Sequence, residues 1–282
     1  MLLKDFREQF REELKGEYPL NEIESFFYIL TSEFLEVDRL KLAMEPGIEL
    51  NAENRTKLEN ALKRLKSHEP VQYITGKQEF FGMEFRVDKN VLVPRPETEE
   101  LVQWILDDIR FKEKELKILD IGTGSGCIAV SLAANLKNAE VDAYDISEQA
   151  LEIASENAKE NKAEINFIRK DILSLENLDA DFDIIVSNPP YVRELEKKEM
   201  NRNVLEHEPD TALYVEDQDA LIFYRKIVGL AQQSLPVNGL LYFEINQYLA
   251  EETEALVKNT GFETELKKDI FGNFRMLKGN KI

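Results

Sequence analysis

Thiols and imidazoles are nearly missing from this chain. Cys127 is the single cysteine among 282 residues, so no intrachain disulfide can form, which fits a reducing cytoplasm and excludes a disulfide-stapled secreted scaffold. The two histidines, His68 and His207, share no motif; no metal site is expected, and both read as surface or structural residues. No apolar run reaches the ~18 residues a membrane span needs. The opening MLLKDFREQFREEL carries charges at every turn, so neither a span nor a secretory leader is expected. Basic residues are in deficit, 36 against 55 acidic, for a formal net charge of −19. That balance opposes close approach to phosphate backbones and disfavours non-specific nucleic-acid binding. Positions 1–70 hold 11 basic and 15 acidic residues, or −4, so most of the acid lies downstream and reads as solvated surface.

What is present organises in blocks. A hydrophobic content of 43% can fill one large core or two modest ones. Residues 1 to about 68 read as helices: Leu3, Phe6, Phe10 and Leu14 form one stripe, residues 21–37 a second helix, and Leu58, Leu62 and Leu65 mark a third. From Val71 the pattern changes to β-branched and aromatic residues broken by Gly76 and Gly82, as in a β-hairpin linker. PRPETEELVQWILDD then opens a helix, with Pro96 suited to its first position and Glu97, Glu99 and Glu100 to the positive end of its dipole. The expected division is 1–69, 70–95 and 96–282.

Beyond that helix, short apolar stretches alternate with helical ones. KILDIG (117–122), EVDAYDI (140–146), INFIRKD (165–171), DIIVSN (183–188) and GLLYFEI (239–245) read as strands. Residues 147–162, with Ser147 as cap, and 217–235 read as helices. Such alternation predicts an α/β fold with a mostly parallel sheet covered on both faces. Two β-rich pieces around Gly272 lie too close for a crossover helix and predict an antiparallel C-terminal hairpin.

The first of these strands runs into Asp120-Ile121-Gly122-Thr123-Gly124-Ser125-Gly126. Glycines let the backbone turn sharply and leave room for a ligand where a side chain would collide. A dinucleotide fingerprint would need a third glycine where Cys127 stands, so the spacing is GxGxG; a nicotinamide oxidoreductase is disfavoured, and Cys127 reads as a small packing residue. Asp145 closes the next strand, where a carboxylate can accept ribose hydroxyls. Asp171 and Ile172 close the third and suit the flank of an adenine. Three such features at consecutive strand tips point to a nucleoside-containing cofactor.

SNPPYVRE (187–194) closes the fourth strand. Pro189 and Pro190 remove backbone donors and leave carbonyls, and Asn188 adds a side-chain acceptor. An acceptor-rich pocket suits a planar NH2 group, with the Tyr191 ring available to cover its face. Aligned with a methyl sulfonium, such a nitrogen is set for in-line transfer, in which positioning supplies most of the catalysis.

GTGSG followed by NPPY resembles the class I methyltransferases, which use S-adenosylmethionine to methylate planar amino or amide nitrogens. PVQYITGKQEFFGMEFRVDKNVLVPRPETEELV (70–102) is similar to the release-factor glutamine methyltransferases, and the resemblance covers nearly the whole chain. It implies a Rossmann-like methyltransferase domain behind an N-terminal helical bundle that recognises substrate, with a β-hairpin linker between them. The implied reaction moves a methyl group from S-adenosylmethionine, leaving S-adenosylhomocysteine, to the glutamine amide nitrogen in the Gly-Gly-Gln motif of peptide chain release factors. A cytoplasmic monomer suffices, with no nucleic acid or membrane as partner.

Carried over by position, the resemblance gives Gly122, Thr123, Gly124, Ser125 and Gly126 the methionine part of the cofactor, Asp145 the ribose, and Asp171 with Ile172 the adenine. Asn188 and the Pro189 carbonyl would grip the glutamine amide at the junction with the cofactor, beside Pro190 and Tyr191. Some relatives place an aromatic ring at position 172, whereas Ile172 packs without stacking. No general base is evident, and the nitrogen can lose its proton to water after alkylation. Glu194, Glu196 and Glu199 form an acidic cluster that could meet a basic release factor, and read first as a solvated loop. Two alternatives share this chemistry, a ribosomal-protein glutamine methyltransferase and a nucleic-acid adenine-N6 methyltransferase; the −19 charge weighs against the second.

Overall fold

The computed structural model describes residues 1–109 and 115–282, except the side chain of Glu199. Two units emerge, Met1–Gly76 with Asn201–His207, and Lys77–Met200 with Glu208–Ile282. Among the described residues no helix is long and apolar enough to cross a membrane.

The first unit is helical. Leu3, Phe6, Phe10 and Leu14 repeat at helical spacing along Leu3–Leu14 and are fully buried against Phe27, Leu30, Leu58 and Leu65 of Leu20–Leu35 and Ala52–Lys66. An apolar stripe of this kind gains stability only when another helix covers it. The run from Val71, expected to begin a hairpin, is instead a helical turn over Val71–Thr75. The Pro70 carbonyl accepts the Tyr73 and Ile74 amides at 2.9 and 3.1 Å, Gly76 ends the turn at φ +76°, and Val71 and Ile74 join the helical core. Burial here overrides the β preference of Val, Tyr and Ile. His68 is buried 3.3 Å from Glu17, and His207 Nε2 lies 2.6 Å from the Ser67 carbonyl.

The second unit opens with the hairpin β1 (Lys77–Phe80) and β2 (Met83–Arg86). Its two-residue turn, Phe81-Gly82, has positive φ at both positions, which matches the twist of the flanking strands. The main sheet has β3 (Leu116–Ile121), β4 (Ala139–Asp145), β5 (Asn166–Arg169) and β6 (Ile184–Ser187). A two-strand parallel pair, β7 (Val192–Arg193) with β8 (Tyr214–Val215), stands apart. The main sheet is completed by β9 (Leu240–Glu244), β10 (Phe262–Lys268) and β11 (Phe274–Lys281), in the order β10-β11-β9-β6-β3-β4-β5. Strands β9, β6, β3, β4 and β5 run parallel, and β11 is antiparallel to both of its neighbours.

Alternate residues of the central strands face two cores. Ile118, Ile184, Val186 and Tyr242 pack on the side of Pro96–Ile109 and Cys127–Asn135, while Leu119, Ile185, Leu241 and Phe243 pack on the side of Ile222–Ser234 and Ala250–Lys258. Burial on both faces is why these strands read as unbroken apolar runs. The helix expected over 217–235 starts only at Ile222, because Asp217 lies in a separate short turn and accepts the Leu195 amide at 3.2 Å. The chain builds outward from β3 to β5, then returns to β6 on the other side of β3. That reversal opens a crevice at the carboxyl ends of β3, β4 and β6.

Candidate active site

A cavity of about 460 Å³ occupies that crevice. Gly122, Thr123, Gly124 and Ser125 form its floor at the tip of β3, Asp145 stands at the tip of β4, Asp171 and Ile172 follow β5, and Asn188, Pro189 and Pro190 follow β6. The structure thus gathers ten of the residues named from the sequence. Gly126 and Tyr191 stand behind this lining.

The loop after β3 is pinned at its base and open at its crest. Gly122 and Thr123 donate their amides to the Tyr144 carbonyl at 2.8 and 3.0 Å, and Gly126 closes the turn on the Thr123 carbonyl at 2.8 Å. A Cβ placed on Gly122 or Gly124 would meet no protein atom within 4 Å, so both leave space on the cavity side. Gly126 differs, since an added Cβ would lie 3.0 Å from the Ala154 Cβ at φ +81°. The loop sits there against the helix Glu148–Glu160, and buried Asn157 of that helix donates to the Ser125 carbonyl at 2.8 Å.

Carboxylates ring this loop. Asp145 accepts the Gly124 and Ser147 amides, each at 2.9 Å; burial raises its carboxyl above the ordinary range, opposed by those amides. Ser147 caps the following helix by accepting the Ala150 amide at 3.2 Å. Asp120, beneath the loop, is fully buried and takes the Thr123 hydroxyl on Oδ2 at 2.7 Å. Its Oδ1 has no well-formed hydrogen bond among the described residues. Burial pushes this carboxyl up to about 7, against the Thr123 hydroxyl and the Ala129 amide. Asp171 is exposed and accepts the Leu173 amide at 3.0 Å, while Ile172 is buried. Cys127 is buried, and its thiol is pushed up to about 12, the character of a packing residue rather than a nucleophile.

These groups fit a nucleoside-containing cofactor. Open backbone at Gly122 and Gly124, an acceptor at Asp145 and an apolar wall at Ile172 occupy successive strand tips, and a cavity of this volume lies within the range of ~300–1,000 Å³ typical of small-molecule sites.

On the β6 side, Asn188 Nδ2 lies 3.4 Å from Thr98 Oγ1. The Thr98 hydroxyl donates to Glu244 Oε2 at 2.6 Å, and the Tyr191 hydroxyl donates to Glu244 Oε1 at 2.9 Å. Glu244, at the end of β9, is 2% exposed. Burial raises its carboxyl, while the two hydroxyls and the charge of Arg275 pull it back. Tyr191 therefore directs its hydroxyl inward, and burial beside Glu244 raises that phenol strongly.

Thr98, Asp120 and Glu244 received no role from the sequence, although Asp120 opens the glycine motif. Glu244 does leave a trace: an acidic residue in GLLYFEI, an otherwise apolar strand, is a buried charge that needs partners. Glu196, expected in a solvated loop, is buried; Arg193 donates to its Oε1 at 2.6 Å and Asn246 to its Oε2 at 2.9 Å. Glu194 is exposed, and the side chain of Glu199 lies outside the described residues.

A family model described as Methyltransferase small domain matches residues 101–214, and one described as PrmC N-terminal domain matches residues 3–76. The chain is 54% identical over 283 residues to a release factor glutamine methyltransferase of Flavobacterium psychrophilum, covering 99% of each. It is 45% identical over 273 residues to that of Bacteroides thetaiotaomicron, covering 96% of this chain and 97% of the relative. Among solved structures, a methyltransferase from Pyrococcus furiosus shares the fold with a TM-score of 0.52 at 16% identity, covering 82% of this chain and 100% of that one.

Proposed function

The chain belongs to the release factor glutamine methyltransferase family, and from that premise we propose how its residues methylate the Gly-Gly-Gln glutamine of peptide chain release factors. It is an S-adenosylmethionine-dependent enzyme with the class I methyltransferase fold. When bound, the cofactor supplies an electrophilic methyl group on a sulfonium sulfur.

The chain's own part is holding and aiming. Gly122 and Gly124 leave room for the methionine part along the β3 loop, with Thr123, Ser125 and Gly126 shaping that loop. Asp145 accepts the ribose hydroxyls, and Asp171 with Ile172 flanks the adenine. Asn188 Oδ1 and the Pro189 carbonyl accept the two N–H bonds of the glutamine amide, so its nitrogen is fixed in the cavity. Pro190 withholds a competing donor, and Tyr191 braces the loop from behind. Two oriented acceptors convert a weak nucleophile into a positioned one. The single observation that carries this reading is that the acceptors of NPP and the open glycine loop line one cavity.

Residues 1–69 serve substrate recognition, 70–95 link, and 96–282 carry the transfer. The net charge of −19 supports a protein substrate over a nucleic acid, and the cytoplasm is the proposed compartment. All the residues named come from one chain, so a monomer suffices. The test is transfer of labelled methyl from S-adenosylmethionine to a purified release factor, beside its Gly-Gly-Ala variant and adenine-containing DNA. Label on the intact factor alone is expected. Label on the DNA, or equal label on the variant, would overturn the assignment.

A further inference from the structure

The hydrogen bonds behind Asn188 form a directed chain. Each oxygen of Glu244 accepts one hydroxyl, Oε2 that of Thr98 at 2.6 Å and Oε1 that of Tyr191 at 2.9 Å. The Thr98 hydroxyl has one proton, and with that proton committed to Glu244 its oxygen faces Asn188 as an acceptor. Only the NH2 end of the Asn188 amide can meet that acceptor, at 3.4 Å. The other end, Oδ1, is then turned toward the cavity. We infer that Glu244, acting through Thr98, is a positioning residue that sets which end of the Asn188 amide faces the substrate.

The consequence is chemical. With Oδ1 facing the cavity, Asn188 accepts an N–H bond from the incoming amide; with NH2 facing it, two donors would confront each other. Rotation about the last side-chain bond interconverts these two states without moving any backbone atom. Shape and packing alone do not choose between them, because the two ends of an amide have nearly equal size. A fixed acceptor chain does. The ends of that chain are themselves held: Thr98 is 2% exposed, and the Glu244 carbonyl accepts the buried Tyr224 hydroxyl at 3.0 Å.

This inference rests on the glutamine-methylation reading, and its experiment separates the two. Wild-type, Thr98→Val, Thr98→Ser, Glu244→Gln and the double variant Thr98→Val/Glu244→Gln are assayed for methyl transfer to the release factor. Cofactor affinity is measured by calorimetry and folding by thermal melts. Thr98→Val, which keeps the shape and removes the hydroxyl, should lower kcat roughly 10- to 100-fold, the range for losing one oriented hydrogen bond. S-adenosylmethionine affinity should stay within about 2-fold, since the cofactor loop is untouched. Thr98→Ser should restore most of the loss. Glu244→Gln should also lower kcat, and the double variant should be no slower than its slower parent, as for residues acting through one path. Equal losses in the Val and Ser variants, a Val variant at the wild-type rate, or losses that multiply in the double variant would overturn the inference. Failure of the wild type to label the release factor removes the functional reading itself, and the inference with it.

Discussion

Replacing Asp120 with asparagine should stabilise the second unit at pH 8 relative to pH 5, when each is compared with wild type at the same pH. The reason is linkage. Asp120 is fully buried, and its carboxyl is raised from the ordinary 3.8 to about 7. A carboxyl whose folded value is raised adds stability below its unfolded value and loses it as pH climbs through the folded one. Its contribution is therefore whole below pH 3.8, declines up to about pH 7, and then levels off. At ~1.36 kcal/mol for each pH unit the total is ~4 kcal/mol, of which ~3 kcal/mol falls between pH 5 and pH 8.

The asparagine side chain does not ionise. Its NH2 adds a cost of its own beside Thr123, but that cost is the same at both pH values, so the difference isolates ionisation of Asp120. For a unit of this size ~1 kcal/mol moves Tm by roughly 2–4 °C, giving a relative gain of roughly 6–12 °C for Asp120→Asn at pH 8 over pH 5. Differential scanning fluorimetry of both proteins at the two pH values reads it. An unchanged difference in Tm would mean that Asp120 is not raised by burial as the structure implies.

Two other substitutions probe the cofactor loop. Asp145→Ala should weaken S-adenosylmethionine binding by ~1.5–3 kcal/mol, the range for hydrogen bonds to a charged group; unchanged affinity in calorimetry would remove Asp145 from the ribose site. Gly126→Ala forces a Cβ to within 3.0 Å of Ala154 at φ +81°, and should cost ~1–3 kcal/mol. Unaltered urea denaturation of that variant would show that the loop relaxes freely against its helix.

The strands and their tips were legible because burial on both faces leaves a local mark: an apolar run that stops at glycine, aspartate or asparagine-proline. Strands β3, β4 and β6 carry it; β5 and the hairpin of β10 with β11 are largely half-buried or exposed, and were legible from β-rich composition and from the short spacing around Gly272. Short helical elements were not. Val71–Thr75 reads as strand by composition, and its helical turn depends on Pro70, Gly76 and the apolar neighbours its side chains meet. The bracing of Asn188 lay further out of reach, since Thr98 and Glu244 stand 146 residues apart, a pairing no local pattern announces. Glu196 is a similar case: its acid character suggests solvent, yet Arg193 and Asn246 receive it in the interior.

The central claim is that the tip of β6 holds the amide nitrogen while a separate set of strand tips holds the cofactor. Its most direct test is Asn188→Ala, with methyl transfer to the release factor and cofactor affinity measured on the same preparation. The expected result is a fall in kcat on the order of 10²–10³, as for loss of one oriented polar group at a reacting centre, with S-adenosylmethionine affinity largely intact. Transfer at the wild-type rate would contradict the account, and so would a loss explained wholly by weaker cofactor binding.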